Sequence, residues 1–155
     1  MSSSSFTPQS YVESTVIMTT VRVVSPFVFT FGLYVMFHGA ESAGGGFQGG
    51  AIVASSIIML AFAFGIDPTR AWLNDSLLRV VIGGGAAAFA LIGLGALAFG
   101  GQFLNYSSYG ISHGVKYGIE LVELGIGAIV AGIITSLFMN LAAGFSDDES
   151  GGDDA

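Results

Sequence analysis

Two glutamates near the start of the last apolar segment are the residues whose types and spacing most suggest chemistry. Glu120 and Glu123 lie three residues apart in the run KYGIELVELGIG. On an α-helix this spacing places both carboxylates on one face, about 60° and about 4.5 Å apart. A carboxylate inside a membrane span is costly unless it is paired, so the two are candidates for binding a proton or a cation. The alternative is that acids in the first turns of a helix complement its positive end and contact headgroup water.

Further polar side chains are expected at the same membrane level as the glutamate pair. They are His38, Glu41, Gln48, His113 and Lys116. Because imidazole titrates near neutral pH, His38 and His113 are able to relay protons, although a lone interfacial histidine also serves as an ordinary headgroup contact. Two histidines without ligand spacing predict no metal site, and no motif predicts a cofactor.

The composition determines which elements must hold these residues. Of 155 residues, 52% are hydrophobic and 10% are charged, and the formal net charge is −7. The negative charge excludes nucleic acid as a main partner, and the absence of cysteine excludes disulfides and thiolate metal sites. The chain has four apolar runs long enough to cross a bilayer core of about 30 Å, which predicts an all-α integral membrane protein with four transmembrane helices. The runs extend from about Val16 to Phe37, from about Phe47 to Ile66, within Val80 to Ser112, and from about Tyr117 to Met139.

The spans divide the chain into a polar N-terminal tail over residues 1–15, a four-helix membrane domain over 16–141 and an acidic tail over 142–155. We interpret the acidic tail as a solvated, disordered end rather than a binding motif. Arg22, Arg70 and Arg79 lie on the side of both termini, and Lys116 alone lies on the other side. By the positive-inside rule, we expect a multi-pass protein of the cell membrane with both termini in the cytoplasm.

A proline and an arginine interrupt the first span. The missing N–H of Pro26 frees the carbonyl of Arg22, so we expect a kink there and a new partner for that carbonyl. Candidates are the hydroxyls of Ser25 and Thr30, another helix or water. Two interpretations of Arg22 stay open: its long side chain reaches the cytoplasmic headgroups, or it is a buried charge paired on another subunit. Arg22 lies too far from Glu123 along the membrane normal to pair with it within one chain.

The segment HGAESAGGGFQGG, residues 38–50, connects the first two spans. Three consecutive glycines permit backbone angles and close approaches that other residues do not, which predicts a tight re-entrant or capping loop. The segment is not a phosphate-binding loop, because no GK[ST] follows it and no strand precedes it. We expect the start of the second helix to favour a nearby carboxylate such as Glu41.

Small residues and an interfacial link mark the middle of the chain. Small residues lie in rows along the third span: Gly83 with Ala87, Gly84 with Ala88, and Gly95. They predict close helix packing, within this chain or against other subunits, and their spread around the helix favours a multisubunit assembly. The link FGIDPTRAWLNDSLLR, with charged residues around Trp72, is predicted to be a short interfacial segment.

Taken together, these motifs resemble the MrpB/MnhB subunit family of Mrp-type multisubunit sodium/proton antiporters. The matching segments are RVVSPFVFTFGLYVMFHG, GGGFQGG, AIVASSIIMLAFAFG and YGIELVELGIGAIVAG, and the likeness covers about Val16 to Leu141. The matching positions are Pro26, His38, Gly44, Gly45, Gly46, Phe47, Gln48, Gly49 and Gly50 in the helix and loop, and Glu120 and Glu123 in the last helix. This chain has Ala40 and Ala43 where the family often has a second histidine and a proline.

The resemblance implies a small integral-membrane subunit that is not an enzyme and needs no cofactor. Its partners would be the other subunits of an Mrp-type antiporter complex, membrane lipid, sodium ions and protons. Glu123, Glu120 and His38 would border an ion path, and the glycine loop would pack against partner subunits. Two alternatives stay open: the same module in a membrane-bound hydrogenase or another ion-pumping redox complex, and a purely structural packing subunit.

Overall fold

The computed structural model describes residues 14–41 and 43–150, and side chains as far as Ala142. Over these ranges the chain is helical, with no strand. Its elements are α1 (Thr15–Phe37), α2 (Gly46–Phe64), α3 (Ile66–Trp72), α4 (Asp75–Ala98), a short 3₁₀ helix (Tyr106–Tyr109) and α5 (Gly114–Ser150). Four of them, α1, α2, α4 and α5, are long and apolar enough to cross a membrane. The predicted all-α fold with four transmembrane helices is therefore confirmed.

Local capping sets helix boundaries that hydrophobicity alone does not predict. Helix α4 begins at Asp75, before the predicted uncharged stretch, because the side chain of Asn74 accepts a hydrogen bond from the Leu77 N–H at 2.8 Å. Such an N-cap satisfies a donor that the first turn would otherwise leave free. Helix α2 ends at Phe64 because Gly65 adopts a φ of 101°, a region that favours glycine.

The last helix extends further than expected. Helix α5 continues to Ser150, so residues 142–150 are helical, and the prediction that they belong to a disordered tail is wrong. Once a helix is formed, each added residue gains one backbone hydrogen bond, and no proline lies in this stretch. Residues 151–155 of the predicted tail, and residues 1–13 of the N-terminal one, lie outside the described residues.

The four long helices pack in the order α1, α2, α5, α4. Helices α2 and α5 run parallel, because residue numbers increase together along the contact between them. The contacting pairs are Gly46 and Glu123, Gly50 and Gly127, and Phe62 and Phe138. Helix α4 is antiparallel to α5, since Gly85 packs on Gly125 while Ile82 packs on Gly132. The core between α1, α2 and α5 contains Met36, Val53 and Ala131, which are buried.

Glycines set the closest contacts between helices. A Cβ on Gly49 would lie 2.7 Å from the carbonyl oxygen of Gly32, and a Cβ on Gly50 would lie 2.6 Å from that of Gly127. On α4 the tightly packed glycine is Gly85, whereas a Cβ on Gly83 or Gly84 would meet nothing within 4 Å. Gly85 therefore packs against α5 within this chain, whereas Gly83 and Gly84 face away from the other helices of the chain.

Helix α1 remains helical through Pro26. Thr30 does not bind the freed carbonyl of Arg22: its hydroxyl donates to the carbonyl of Pro26 at 2.7 Å. A threonine hydroxyl in a helix reaches the carbonyl four residues before it, and that residue is Pro26. The hydroxyl of Ser25, the other predicted partner, is buried without a hydrogen bond in the described part of the chain.

The link between α4 and α5 folds back onto α4. The Tyr109 hydroxyl donates to the carbonyl of Ile92, and its ring packs on Gly95. The Phe103 ring covers Gly93 and meets the ring of Phe89 edge-on, at 6.1 Å between centroids. This link brings the 3₁₀ helix against the start of α5, where the two glutamates lie.

Candidate functional site

Glu123 is half-buried at the place where the end of α1 and the start of α2 meet α5. Its Oε2 atom is buried, and within the described residues no donor reaches it. A buried carboxylate oxygen without a donor is costly, so such atoms are rare in folded proteins. Of the buried side-chain atoms without a partner in the described residues, Glu123 Oε2 is the one that belongs to an acid.

Three glycines form the wall around this carboxylate. A Cβ on Gly39 would overlap the carboxylate itself, and a Cβ on Gly45 would lie 3.0 Å from Glu123 Oε1. A Cβ on Gly46 would overlap the backbone carbonyl of Glu123. The glycine-rich segment thus allows the turn between α1 and α2 to close directly over the acid, which a side chain at these positions would prevent.

Beside Glu123, three charged groups form a cluster at the chain surface. Lys116, in the first turn of α5, donates a hydrogen bond to the carboxylate of Glu41 in the α1–α2 turn. The same ammonium lies 3.9 Å from Glu120 Oε1. The side chain of Glu120 is 23% exposed and that of Glu41 58%. Lys116 therefore bridges an outer carboxylate and a deeper one.

Lys116 is a partner of Glu41 that the sequence did not predict. The full charge of an ammonium attracts a carboxylate more strongly than the partial charge of a helix end, such as the start of α2. The hydrogen bond from Lys116, together with its positive charge, holds the pKa of Glu41 below its usual value.

A tyrosine of the 3₁₀ helix also faces this region. The ring of Tyr106 packs on Gly118, which lies two residues before Glu120 in α5. Burial raises the pKa of the Tyr106 phenol above its usual value, and the negative charge of Glu123 adds to the effect. Tyr106 was missed because aromatic residues in a loop give no sequence signal for the helix on which they pack.

The remaining residues of the predicted loop divide between the bundle interior and its surface. The glycines Gly45, Gly46, Gly49 and Gly50 are buried, whereas Phe47 and Gln48 are exposed. Residues 46–50 belong to α2 rather than to a loop, so the connection itself is only residues 38–45. Gly44 is half-buried there, with a φ of 139° that favours glycine.

The two histidines lie at the surface of the described chain. His38 is exposed, and its ring stacks on Tyr34 at 4.3 Å between centroids. His113 is exposed just before α5, with a φ of 60°. Within residues 14–41 and 43–150, no group of three histidine, aspartate or glutamate side chains is arranged to hold a metal ion.

Arg22 and Pro26 lie well away from Glu123. The guanidinium of Arg22 lies over the ring of Phe64, 5.1 Å from its centroid, near the far end of α2. Arg22 is exposed in this chain and forms no ion pair with a described residue. Its side chain lies along α2, and a partner for its charge on another subunit stays a prediction.

Comparison with known proteins identifies the family of this chain. The family described as a domain related to the MnhB subunit of the Na+/H+ antiporter matches residues 16–136. The chain belongs to the MnhB family. The match includes Glu41, Lys116, Glu120 and Glu123, which we call the glutamate cluster, and the three glycines around Glu123.

Individual relatives of this MnhB-family chain agree with that assignment. A Na(+)/H(+) antiporter subunit of Bacillus subtilis is 28% identical over 81% of this chain and 91% of its own length. The putative antiporter subunit mnhB2 of Staphylococcus haemolyticus is 35% identical over 86% of this chain and 99% of its own. This near-complete coverage indicates that the whole four-helix domain is shared.

A solved structure with the same fold comes from a different kind of assembly. It is a chain of the membrane-bound sulfane sulfur reductase, an archaeal respiratory membrane complex, with 28% identity and a TM-score of 0.63. The match covers 81% of this chain and 58% of that one. The MnhB fold thus also occurs as part of a longer chain in a respiratory complex.

Proposed function

We propose that this chain is a small integral-membrane subunit of a multisubunit Na+/H+ antiporter, and that Glu123 borders the route of the exchanged ion. The observation that carries the proposal is the buried Glu123 Oε2, which has no donor within the described residues and lies in a membrane-spanning helix. A proton or a sodium ion at this oxygen would remove the cost of leaving it unpaired. The family and its relatives support the antiporter assignment.

The neighbouring charges give the route an entrance. Lys116 lies between Glu41 and Glu120, so a cation that approaches Glu120 competes with the ammonium for the same carboxylate. Glu120 is the deeper carboxylate of this surface cluster, and Glu123 follows it about one turn further along α5. His38 is exposed at the end of α1, and we propose that it borders the outer end of this route.

The exchange reaction itself is assigned to the complex rather than to this chain alone. Its spans contain no lysine beyond the first turn of α5, so the chain lacks an internal relay of alternating acids and lysines. We therefore assign it a transport role beside larger partner subunits. We further propose that both termini lie in the cytoplasm, so that the glutamate cluster opens to the outside.

The test is Na+/H+ exchange in everted vesicles that contain the assembled complex. Glu123→Gln is expected to lower the exchange rate to about a tenth or less, and Glu120→Gln to lower it by a smaller factor. Asp67→Asn is the matched control, because Asp67 is an exposed acid in α3 on the opposite side of the bundle. Assembly is checked by the amount of each subunit that co-purifies. Normal exchange in both glutamate variants, with normal assembly, would show that the chain has only a packing role.

A second candidate function is a module of a redox-driven ion pump. The likeness to a chain of a respiratory membrane complex favours it. Purification of the tagged chain in mild detergent separates the two, since only a redox complex co-purifies with subunits that carry redox centres. Ion exchange that persists in vesicles without any electron donor supports the antiporter.

A further inference from the structure

A cavity of about 500 Å³ lies between α1, α2 and α3, on the side of the bundle opposite the glutamate cluster. Arg22 and Trp72 line one part of it, and Phe29 and Leu60 line another. From Arg22 to Phe29 the helix rises about 10 Å, so the cavity extends from the end of the bundle toward its middle.

The charged part of the cavity lies at the level of a lipid headgroup. Arg22 contacts Phe64, the last residue of α2, and the chain then turns into α3. The guanidinium therefore lies where the bundle meets the membrane surface. No carboxylate of the described residues pairs with it, so its charge is available to an anion. Trp72, 72% exposed at the same end, is of the type that anchors proteins at this boundary.

A buried hydroxyl in the same cavity also lacks a partner. Ser25 is 4% exposed, lines the cavity and has no hydrogen bond in the described part of the chain. The other two hydroxyls that line the cavity are already engaged: Thr30 donates to the carbonyl of Pro26, and Ser56 to that of Val53, each at 2.7 Å. Buried hydroxyls are nearly always paired, so Ser25 indicates a ligand atom that accepts a hydrogen bond.

The deeper part of the cavity is apolar. Phe29, Ile57 and Leu60 form its walls, and they lie within the membrane-spanning parts of α1 and α2. A free inorganic anion would leave this part unfilled. A molecule with one anionic end and a long apolar chain matches both parts at once.

We propose that this cavity binds one anionic glycerophospholipid, with its phosphate at Arg22 and Ser25 and an acyl chain along Phe29 and Leu60. The ammonium or guanidinium of a basic residue near the membrane surface strengthens binding of anionic lipids, and the apolar walls supply the rest. This inference does not depend on the antiporter assignment, because it concerns the opposite end of the bundle.

The experiment uses the purified complex in vesicles that contain a phosphatidylglycerol with a photoactivatable acyl chain. Labelled peptides of this chain are expected to map to α1 around Phe29 and to α2 around Leu60. Arg22→Gln is expected to lower the labelling about fivefold. Arg79→Gln is the matched control, because Arg79 is exposed in the first turns of α4 and does not line the cavity.

A second variant separates loss of binding from loss of fold. Leu60→Trp fills the apolar part without changing the charge, and it is expected to lower labelling while subunit co-purification stays normal. Equal labelling by a phosphatidylcholine probe would overturn the anionic preference. Full competition by inorganic phosphate would reassign the site to a free anion. An absence of labelling in the intact complex would show that another subunit covers the cavity, and the proposal would be wrong.

Discussion

At the scale of single residues, the contact between Glu123 and Gly39 is the most informative one in the molecule. The glycine has no side chain, and the carboxylate occupies the space that a Cβ would take. Leaving the buried Oε2 without a donor costs about 1–3 kcal/mol, and more when the group is charged. A proton or cation bound to Oε2 would offset this cost. We therefore expect that moving the carboxylate changes how strongly it binds a proton or a cation.

A substitution at Gly39 tests this coupling without removing the acid. In Gly39→Ala the new Cβ meets the flexible end of Glu123 rather than backbone, so the fold is retained while the carboxylate is displaced. We expect Na+/H+ exchange in vesicles to fall about tenfold, with normal recovery of the assembled complex. Gly83→Ala in the exposed part of α4 serves as the comparison for assembly. Wild-type exchange in Gly39→Ala would argue against any role for the geometry around Glu123.

At the scale of the elements, helix packing depends on glycines at particular positions. Helices α2 and α4 both lie against α5 through contacts of backbone on backbone, at Gly50 with Gly127 and at Gly85 with Gly125. Since lipid tails are as apolar as the side chains, such close contacts supply most of the attraction between membrane helices.

Gly83 and Gly85, two residues apart in α4, should therefore differ in how a change to alanine affects stability. In Gly85→Ala the Cβ would lie 2.5 Å from the carbonyl oxygen of Gly125, so we expect a loss of about 1–3 kcal/mol in the free energy of unfolding. In Gly83→Ala the Cβ meets open space, so the chain should be unchanged or more stable by up to about 1 kcal/mol. Unfolding of the purified chain in detergent measures both. Equal stabilities would contradict the assignment of the α4–α5 interface.

The ion pair between Glu41 and Lys116 ties the α1–α2 turn to the start of α5. Because the folded state lowers the pKa of Glu41 below its usual 4.5, the pair stabilises the fold above that pH. The stabilisation is lost as the pH falls through the lowered pKa. Glu41→Gln should therefore lower the melting temperature by about 1–2 °C at pH 7 and have no effect in strong acid.

Melting curves from pH 7 to pH 3 check this dependence. For Glu41→Gln, the melting temperature should approach that of the wild type as the pH falls. Asp67→Asn removes an exposed acid outside the pair, so its difference in melting temperature from the wild type is expected not to shrink in this way. A Glu41→Gln effect that stayed constant down to pH 3 would mean that the residue acts through something other than its charge.

At the scale of the whole molecule, most of the helix surface faces outward. Only 11% of the α1 span and 17% of the α4 span are buried within the chain, against 39% for α2. The outer helices of the row must therefore meet lipid or other subunits on their remaining faces. A four-helix subunit of this shape is suited to a position within a larger membrane assembly.

The orientation of the chain is open to a direct labelling experiment. Because the sequence contains no cysteine, single cysteines can be introduced without a background. In intact cells, an impermeant maleimide is expected to label Ser107→Cys, in the α4–α5 link, and not Ser76→Cys, at the start of α4. In everted vesicles the pattern should reverse. Labelling of Ser76→Cys from outside would place the glutamate cluster on the cytoplasmic side.

The amino-acid sequence by itself determined the four spans, the glutamate pair and the family resemblance. Charge-free runs of about 20 residues have few alternatives to a membrane helix, because hydrocarbon excludes unpaired backbone groups. The three-residue spacing of Glu120 and Glu123 places them on one helix face whatever surrounds them.

Only the tertiary structure decided which neighbours these residues have. Three contacts depend on how the helices are rotated and how far each is shifted along its neighbours. They are Gly39 with Glu123, Lys116 with Glu41, and α5 with Gly85 rather than with Gly83. Small residues lie on several sides of α4, so hydrophobic periodicity does not specify this rotation. It is set by the close packing of backbone on backbone, which involves residues far apart in the chain.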